Sequence, residues 1–265
     1  MPTVTELALE VASIPHLDLG LEFDLERMRE EVSRIDRYDP YHTRHLRSRE
    51  HYARHWSGVS LVGTKGDPYQ DLSELTPDSL RDFHPTAIAD LCPYLYSIVL
   101  ALGKGNRRAR VMRIGPDGSL FWHSHCLNHG QSIYQLTVHV PIIVPDGFEW
   151  SVMQVEDYRR FTNQDPASRL DMADNLAHRA CYEPARATVF NSFHFHNVHN
   201  PDPAIARVSM MIYISLHDKL SRDIVEKAVD RYQGPRLAFP SKEVMQRYQY
   251  DPSVLNLIAG GQMNH

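Results

Sequence analysis

Residues 207–215 of this 265-residue chain read RVSMMIYIS, and this stretch decides the fold. Successive side chains of a strand point to opposite faces, so the stretch divides into two sets. One set is Arg207, Ser209, Met211 and Tyr213. The other set is entirely apolar and is expected to pack outward against helices or a second sheet. Arg207 can then point into a cavity, where its planar guanidinium matches a carboxylate.

Other segments repeat the period of two that marks a strand. The segments are RRARVMRI (107–114), YQLTVHVPIIV (134–144) and ATVF (187–190). Clusters of Pro, Gly and Asn bound these segments. The segment at 107–114 is predicted to end in a turn at GPDG, residues 115–118. Together with residues 207–215 they predict a β-sandwich or barrel.

Three segments carry apolar residues at the three- and four-residue steps of a helix. They are LEFDLERMREEVSRIDRY (21–38), DLCPYLYSIVLALG (90–103) and KLSRDIVEKAVDRYQGP (219–235). In the second segment Asp90 lies near a cap position, Pro93 suits the first turn and Gly103 stops the helix. The sequence therefore predicts helices on both sides of the strand-rich region.

The order of these segments predicts a single domain of the α+β class with a mainly β core. We expect a helical N-terminal part over residues 1–55, a core over about 56–216 and a helical tail over 217–265. Residues 145–187 lack clean periodicity and are predicted to form an irregular insertion over the core, which is where lids and binding loops often occur. The tail helix is expected either to cover the sheet or to form a homodimer surface.

The composition indicates which classes of partner and which cellular location to expect. A formal charge of −5 with 23% charged residues gives no concentrated basic face, so we expect a small-molecule substrate and no nucleic acid. Three widely separated cysteines argue against a disulfide framework and for a reducing compartment. No apolar run approaches the roughly 20 residues that cross a bilayer, and the acidic N-terminal stretch lacks the pattern of a secretory leader. These features predict a cytoplasmic protein with no membrane partner.

Histidine is abundant, with sixteen in all, and it is the commonest metal ligand. His123 and His125 are two residues apart in FWHSHCLNHG, so on a strand they point to the same side. A second cluster places His194, His196 and His199 about seventy residues later. Three protein donors with open coordination positions define a catalytic metal site, and the two clusters together predict one.

The other histidines and the cysteine of the two clusters have alternative interpretations. His129 could replace His125 as a ligand, although the NHGQS context favours a turn. His194 is predicted to be a hydrogen-bonded core residue or to line the cavity, and His199 to lie in a loop or on the surface. Cys126 has the opposite strand parity and is expected to be a buried, inert thiol.

The motifs resemble those of the aspartyl/asparaginyl β-hydroxylase-like branch of the iron(II)- and 2-oxoglutarate-dependent oxygenases. The resemblance rests on HSH (123–125), LTVHVPI (136–142) and VFNSFHFHNVHNPDPAIAR (189–207), and it covers about residues 107–216. In the last segment Asn191, Val198 and Asn200 match the family's pattern. The resemblance implies a double-stranded β-helix, also called a jelly roll, of the cupin-like type.

The resemblance also implies roles for individual residues. His123 matches the first iron ligand and His196 the distal iron ligand. Arg207 matches the arginine that grips the distal carboxylate of 2-oxoglutarate, and His139 matches the strand histidine that helps to hold this cosubstrate. Ser209, on the same strand face as Arg207, completes the predicted cofactor-binding set. The implied cofactors are Fe(II), 2-oxoglutarate and O2.

His125 departs from the pattern, because many relatives have an aspartate there. Three neutral imidazoles leave the iron with its full +2 charge, and bound 2-oxoglutarate, a dianion, could restore neutrality. We include His125 in the predicted metal set. Alternatively it swings aside or acts from outside the coordination sphere, or the all-nitrogen site holds zinc or another cation.

The function that the resemblance implies is hydroxylation of an unactivated C–H bond in an amino-acid-like or peptide-like small molecule, with desaturation as another oxidative outcome. A three-histidine iron dioxygenase that does not use 2-oxoglutarate is the first alternative; His125 favours it and Arg207 counts against it. The second alternative is a non-catalytic metal-binding jelly-roll protein.

Overall fold

The structure, a computed structural model, describes residues 2–40, 53–69, 82–103, 108–123, 133–154 and 177–238. Its described helices are α1 (Val4–Ala12), α2 (Leu25–Val32), α3 (Ala87–Leu91), α4 (Pro93–Leu102) and α5 (Lys219–Arg231). None of the helices in these ranges is long and apolar enough to cross a membrane.

The strands account for most of the core. They are β1 (His16–Glu22), β2 (Asp39–Pro40), β3 (Ala53–Thr64), β4 (Phe83–Pro85), β5 (Ala109–His123), β6 (Gln135–Ile143), β7 (Glu149–Met153), β8 (His178–Ala180), β9 (Arg186–Phe190), β10 (Phe195–His199) and β11 (Arg207–Ser215). Neighbouring strands pair antiparallel throughout the order β1-β9-β6-β11-β5-β10-β7-β8.

Strand β5 divides this order into two sheets. Residues 109–114 pair with β11 in a first sheet, β9-β6-β11-β5, and residues 119–123 pair with β10 in a second sheet, β5-β10-β7-β8. Because β5 contributes one half to each sheet, these seven strands supply the eight strand segments of a double-sheet jelly roll. β1 extends the first sheet beside β9, and β3 runs along the other edge of β5. The predicted jelly-roll fold is confirmed.

The two faces of the first sheet contact different parts of the protein. Val208, Met210, Ile212 and Ile214 of β11 join the large apolar core that includes residues of α1, α2, α4 and α5. A second apolar cluster fills the space between the sheets, with Ile114 and Phe190 from the first sheet and Trp150, Val152 and Val198 from the second. The predicted division of residues 207–215 into an outer apolar face and an inner face is therefore confirmed.

The helix predicted from residue 21 begins later than expected. Leu21 belongs to β1, and α2 starts at Leu25 after Asp24, whose side chain accepts a hydrogen bond from the Arg27 backbone N–H at 3.1 Å. A carboxylate at that position satisfies a backbone donor that the first helical turn leaves free. β1 also shows that the N-terminal part is not only helical.

Two further expectations need correction. The GPDG segment does not end its strand, because β5 continues through it to His123 and bends from one sheet into the other, with Asp117 at a φ of +50°. The irregular insertion predicted over residues 145–187 is too wide, because β7 and β8 lie within it. Those strands are only five and three residues long, too short to show a period in the sequence. Residues 155–176 lie outside the described ranges.

Candidate functional site

Arg207, the first residue of β11, is buried between the two sheets with 2% of its surface exposed. No carboxylate pairs with it among the residues that the structure describes, and its Nε–H has no hydrogen-bond partner there. Burial lowers the pKa of the guanidinium to about 9, since desolvation disfavours the charged form. Burying a cation without an acidic partner costs free energy, because the charge loses its hydration, so this position favours the binding of an anion.

His139, from the middle of β6, contacts Arg207 directly. The Arg207 Nη2–H donates to His139 Nδ1 at 3.1 Å, and Ser209 Oγ lies 3.4 Å from the same nitrogen. Because Nδ1 accepts, the proton of the neutral ring is on Nε2. Burial, and then the charge of Arg207, holds the pKa of His139 well below its usual range. The structure thus brings together the three residues predicted to bind the cosubstrate.

Aromatic rings surround the guanidinium. The Arg207 Cζ atom lies 5.0 Å from the ring centroid of Trp150 and 5.3 Å from that of Phe148. Tyr182 stacks on Trp150 with centroids 4.2 Å apart and an interplanar angle of 12°. These walls lower the local polarity, which strengthens any charge pairing that Arg207 makes.

His16 of β1 joins the site through Tyr182. Its Nε2 lies 3.0 Å from the His178 carbonyl oxygen and its Nδ1 lies 2.7 Å from the Tyr182 hydroxyl. Only an N–H can approach the carbonyl, so Nδ1 accepts from the Tyr182 O–H. Burial lowers the pKa of His16 to about 4, which keeps this arrangement neutral at pH 7. Sequence reasoning missed both residues, because neither lies in a motif.

His196 of β10 is buried on the opposite sheet, with 2% exposure. Its Nδ1 lies 3.0 Å from the His194 carbonyl oxygen and must donate to it. The lone pair of the neutral ring is therefore on Nε2, the arrangement usual for histidines that ligate metals. Phe190 links this residue to the anion site, since its ring centroid is 4.8 Å from that of His196 and 5.4 Å from that of His139.

Positions 123 and 196 lie opposite each other on the neighbouring strands β5 and β10. His123, the last residue of β5, is the direct register partner of His196. Directly opposed positions of an antiparallel pair lie on the same face of the sheet. The side chain of His123, and all of His125, His129 and Cys126, lie outside the described part of the chain. Within that part, no group of three His, Cys, Asp or Glu residues is placed to hold a metal ion.

His194 has a structural contact. Its Nε2–H donates to the Ala12 carbonyl at 3.1 Å, and burial lowers its pKa to about 4. Asn191 supports the same junction, because its Nδ2 donates to the carbonyls of Ala12 and Ile14 at 2.9 and 2.8 Å. His194 is thus the hydrogen-bonded core residue that was predicted, and His199 is exposed at the end of β10.

Asn200 holds the bend of β5. Its Nδ2 donates to the carbonyls of Gly115 and Ile205 at 2.9 and 2.8 Å, and its backbone N–H donates to Gly118 at 2.8 Å. These bonds join the GPDG segment to the turn between β10 and β11. Since β5 carries position 123 and β11 carries Arg207, Asn200 connects the two strands that bear the predicted metal and anion residues.

Several solved structures align with most of this chain at low sequence identity. An oxidoreductase of the 2OG-Fe(II) oxygenase family from Burkholderia pseudomallei is 14% identical, with 82% of this chain and 92% of that chain covered and a TM-score of 0.48. HygX from Streptomyces hygroscopicus, with nickel and 2-oxoglutarate bound, is 11% identical, with 80% and 86% covered and a TM-score of 0.48. A Pseudomonas putida prolyl-4-hydroxylase is 10% identical, with 80% and 98% covered and a TM-score of 0.41.

Similarity at this level does not assign an activity. The sequence matches no protein-family model, and it matches no curated protein. The functional interpretation therefore depends on the side chains of this protein.

Proposed function

We propose that this protein is an Fe(II)- and 2-oxoglutarate-dependent oxygenase that hydroxylates an unactivated C–H bond of an amino-acid-like or peptide-like small molecule. The observation that carries the proposal is the buried guanidinium of Arg207, which has no acid partner among the described residues. It contacts Trp150, and Phe190 of the same apolar cluster contacts His196. Both features fit a dicarboxylate that also reaches a metal.

The anion site fits one end of 2-oxoglutarate. A carboxylate can accept two parallel N–H bonds from a guanidinium, and this pairing would offset the cost of burying Arg207. His139 takes one Arg207 N–H and so limits the rotation of the guanidinium. The aromatic walls exclude water from the pair, which favours a ligand whose chain is apolar between its charged ends.

The metal-binding residues would be His196 and His123, with His125 as the third. Support comes from the Nδ1–H bond of His196 to the His194 carbonyl, which places the lone pair of the neutral ring on Nε2, and from the register of positions 123 and 196. Neutral imidazoles suit Fe(II) as well as zinc. Bound iron would supply oxygen activation, coupled to oxidative decarboxylation of 2-oxoglutarate, for hydroxylation of the substrate.

The residues of this chain contribute binding, orientation and exclusion of water. Arg207 fixes the distal carboxylate, and the Phe190 ring between His139 and His196 keeps the space along the cosubstrate apolar. A closed, apolar site protects a reactive centre from side reactions.

A three-histidine dioxygenase that does not use 2-oxoglutarate is the second candidate, because position 125 is a histidine rather than a carboxylate. The narrower resemblance to the aspartyl/asparaginyl β-hydroxylase-like branch, the cytoplasmic location and a homodimer stay predictions.

The test is anaerobic reconstitution with Fe(II), addition of 2-oxoglutarate, and then admission of oxygen. We expect a metal-to-ligand absorption band before oxygen and succinate after it. Arg207→Ala should raise the concentration of 2-oxoglutarate needed for the band at least a hundredfold, and His196→Ala should remove iron binding. Arg29→Ala, a change at an exposed arginine of α2, is the control and should leave both unchanged.

An iron-containing protein that forms no band and no succinate with 2-oxoglutarate, but consumes oxygen with an organic substrate alone, would favour the second candidate. Absence of any iron binding would rule out both candidates and favour the non-catalytic jelly-roll protein.

A further inference from the structure

Trp150, in the middle of β7, is the largest fully buried side chain near Arg207. Its indole Nε1–H is buried and has no hydrogen-bond partner within the described part of the chain. Native proteins pair nearly all buried donors, and Trp in particular usually finds an acceptor for its single N–H. An unpaired indole N–H in this position therefore needs an explanation.

A second unpaired donor lies beside it. The Nε–H of Arg207 is also buried and without a partner in the described ranges, and the Cζ of that guanidinium is 5.0 Å from the Trp150 ring centroid. One ligand with two acceptor oxygens can accept hydrogen bonds from both of these unpaired donors. A carboxylate has two oxygens and no proton to donate, and it also neutralises the guanidinium.

The orientation of the indole is fixed by its neighbours. Tyr182 stacks on its face at 4.2 Å, and Phe148 meets it in a T-shaped contact with centroids 4.6 Å apart. The Tyr182 hydroxyl is in turn held by His16. A ring packed on these sides cannot turn its N–H toward water, so the donor stays directed within the interior.

We propose that the Trp150 indole N–H is a second hydrogen-bond donor to the carboxylate that Arg207 binds. Trp150 then binds the anion as well as lining the site with its ring. This inference rests on the proposed function, since it assigns a further residue to the same dicarboxylate. It requires that replacing the N–H alone weakens anion binding.

The experiment uses glutarate, which has both carboxylates of 2-oxoglutarate but no 2-oxo group, and the full chain without metal. Two-dimensional ¹H–¹⁵N spectra resolve the indole N–H signals of three tryptophans, and Trp150→Phe assigns the relevant one. We expect that signal to move downfield on addition of glutarate, because a hydrogen bond to a carboxylate deshields the proton.

Calorimetric titration with glutarate gives the affinities. Trp150→Phe, which keeps a ring but removes the donor, should bind about tenfold more weakly than the natural protein, equivalent to about 1.4 kcal/mol. Trp122→Phe, a change at a buried tryptophan of the other apolar core, is the matched control and should bind as the natural protein does. Where Trp150→Phe folds poorly, Trp56→Phe and Trp122→Phe assign the other two signals, and the remaining signal of the natural protein is that of Trp150.

The outcomes separate the two proposals. A Trp150 signal that stays in place at saturating glutarate, or an affinity of Trp150→Phe within twofold of the natural protein, overturns the role of Trp150. If Arg207→Ala still abolishes binding in that case, the proposed function stands. If the natural protein binds neither glutarate nor, with Fe(II), 2-oxoglutarate, both proposals fall.

Discussion

Replacing Arg207 with methionine should remove ligand binding without unfolding the protein. A pKa that burial lowers from the ordinary arginine value to about 9 corresponds to about 5 kcal/mol of unfavourable free energy for the charged form. At pH 7 the side chain is charged in the folded and unfolded states alike, so the folded state carries this cost. Methionine has a side chain of similar length to the buried part of arginine and carries no charge.

The favourable contacts of Arg207 offset most of this cost. A charged hydrogen bond to His139 contributes about 1.5–3 kcal/mol, and the contacts with the Phe148 and Trp150 rings contribute about 2 kcal/mol. In the variant, the Ser209 hydroxyl, which donates to the Met210 carbonyl at 3.0 Å, lies 3.4 Å from His139 Nδ1 and can turn to donate to it instead. We therefore expect the free energy of unfolding of the ligand-free variant to be unchanged or raised by up to about 2 kcal/mol.

Urea denaturation at pH 7, with and without a dicarboxylate, measures both effects. At a ligand concentration one hundred times its Kd, the natural protein should gain about 2.7 kcal/mol, and Arg207→Met should gain none. A variant that is destabilised by about 3 kcal/mol or more without ligand would refute the reasoning, because that is the loss expected when a buried ion pair is broken. The guanidinium would then have an acid partner within the protein.

Two further predictions concern stability. Burial lowers the pKa of His194 from 6.5 to about 4, so the unfolded state binds the proton first as the pH falls and the folded protein loses stability. His194→Gln should remove about 2 kcal/mol of the loss between pH 7 and pH 5, measured by urea denaturation at both pH values. Glu31→Ala should lower the free energy of unfolding by about 3 kcal/mol, because the buried carboxylate accepts the backbone N–H groups of Tyr94 and Leu95, both at 2.9 Å, at the start of α4.

Each of these has a matched control. His199→Gln changes an exposed histidine and is the comparison for His194→Gln. An equal effect of the two changes would contradict the role of burial. Glu30→Ala removes an exposed carboxylate one residue from Glu31 and should change stability by less than about 0.5 kcal/mol. Equal losses for the two glutamates would show that the bonds to α4 contribute little.

The prediction of residues 207–215 succeeded because both faces of β11 are buried against chemically different surroundings. The apolar face packs under the helices and the other face begins with Arg207, so the alternation in the sequence reports directly on the two environments. α5 was equally readable, since its apolar residues repeat at helical spacing and Asp218 caps its start.

Short strands were not readable in this way. β7 is specified by pairing with β10 on one side and β8 on the other, and the second sheet forms only when those distant segments meet. The bend of β5 at GPDG looked like a strand end because its local residues favour a turn, whereas the hydrogen bonds of Asn200 keep the chain in the sheet.

By itself, the sequence determined the strand with two chemically different faces and the main helices. The resemblance of its motifs to a known family predicted Arg207, His139 and His196 as members of one site. Only the tertiary structure decided that Trp150, Tyr182 and His16 complete the surroundings of Arg207. The physical reason is that periodicity and motifs record contacts along one element, whereas the interior between two sheets is lined by residues that lie far apart in the chain.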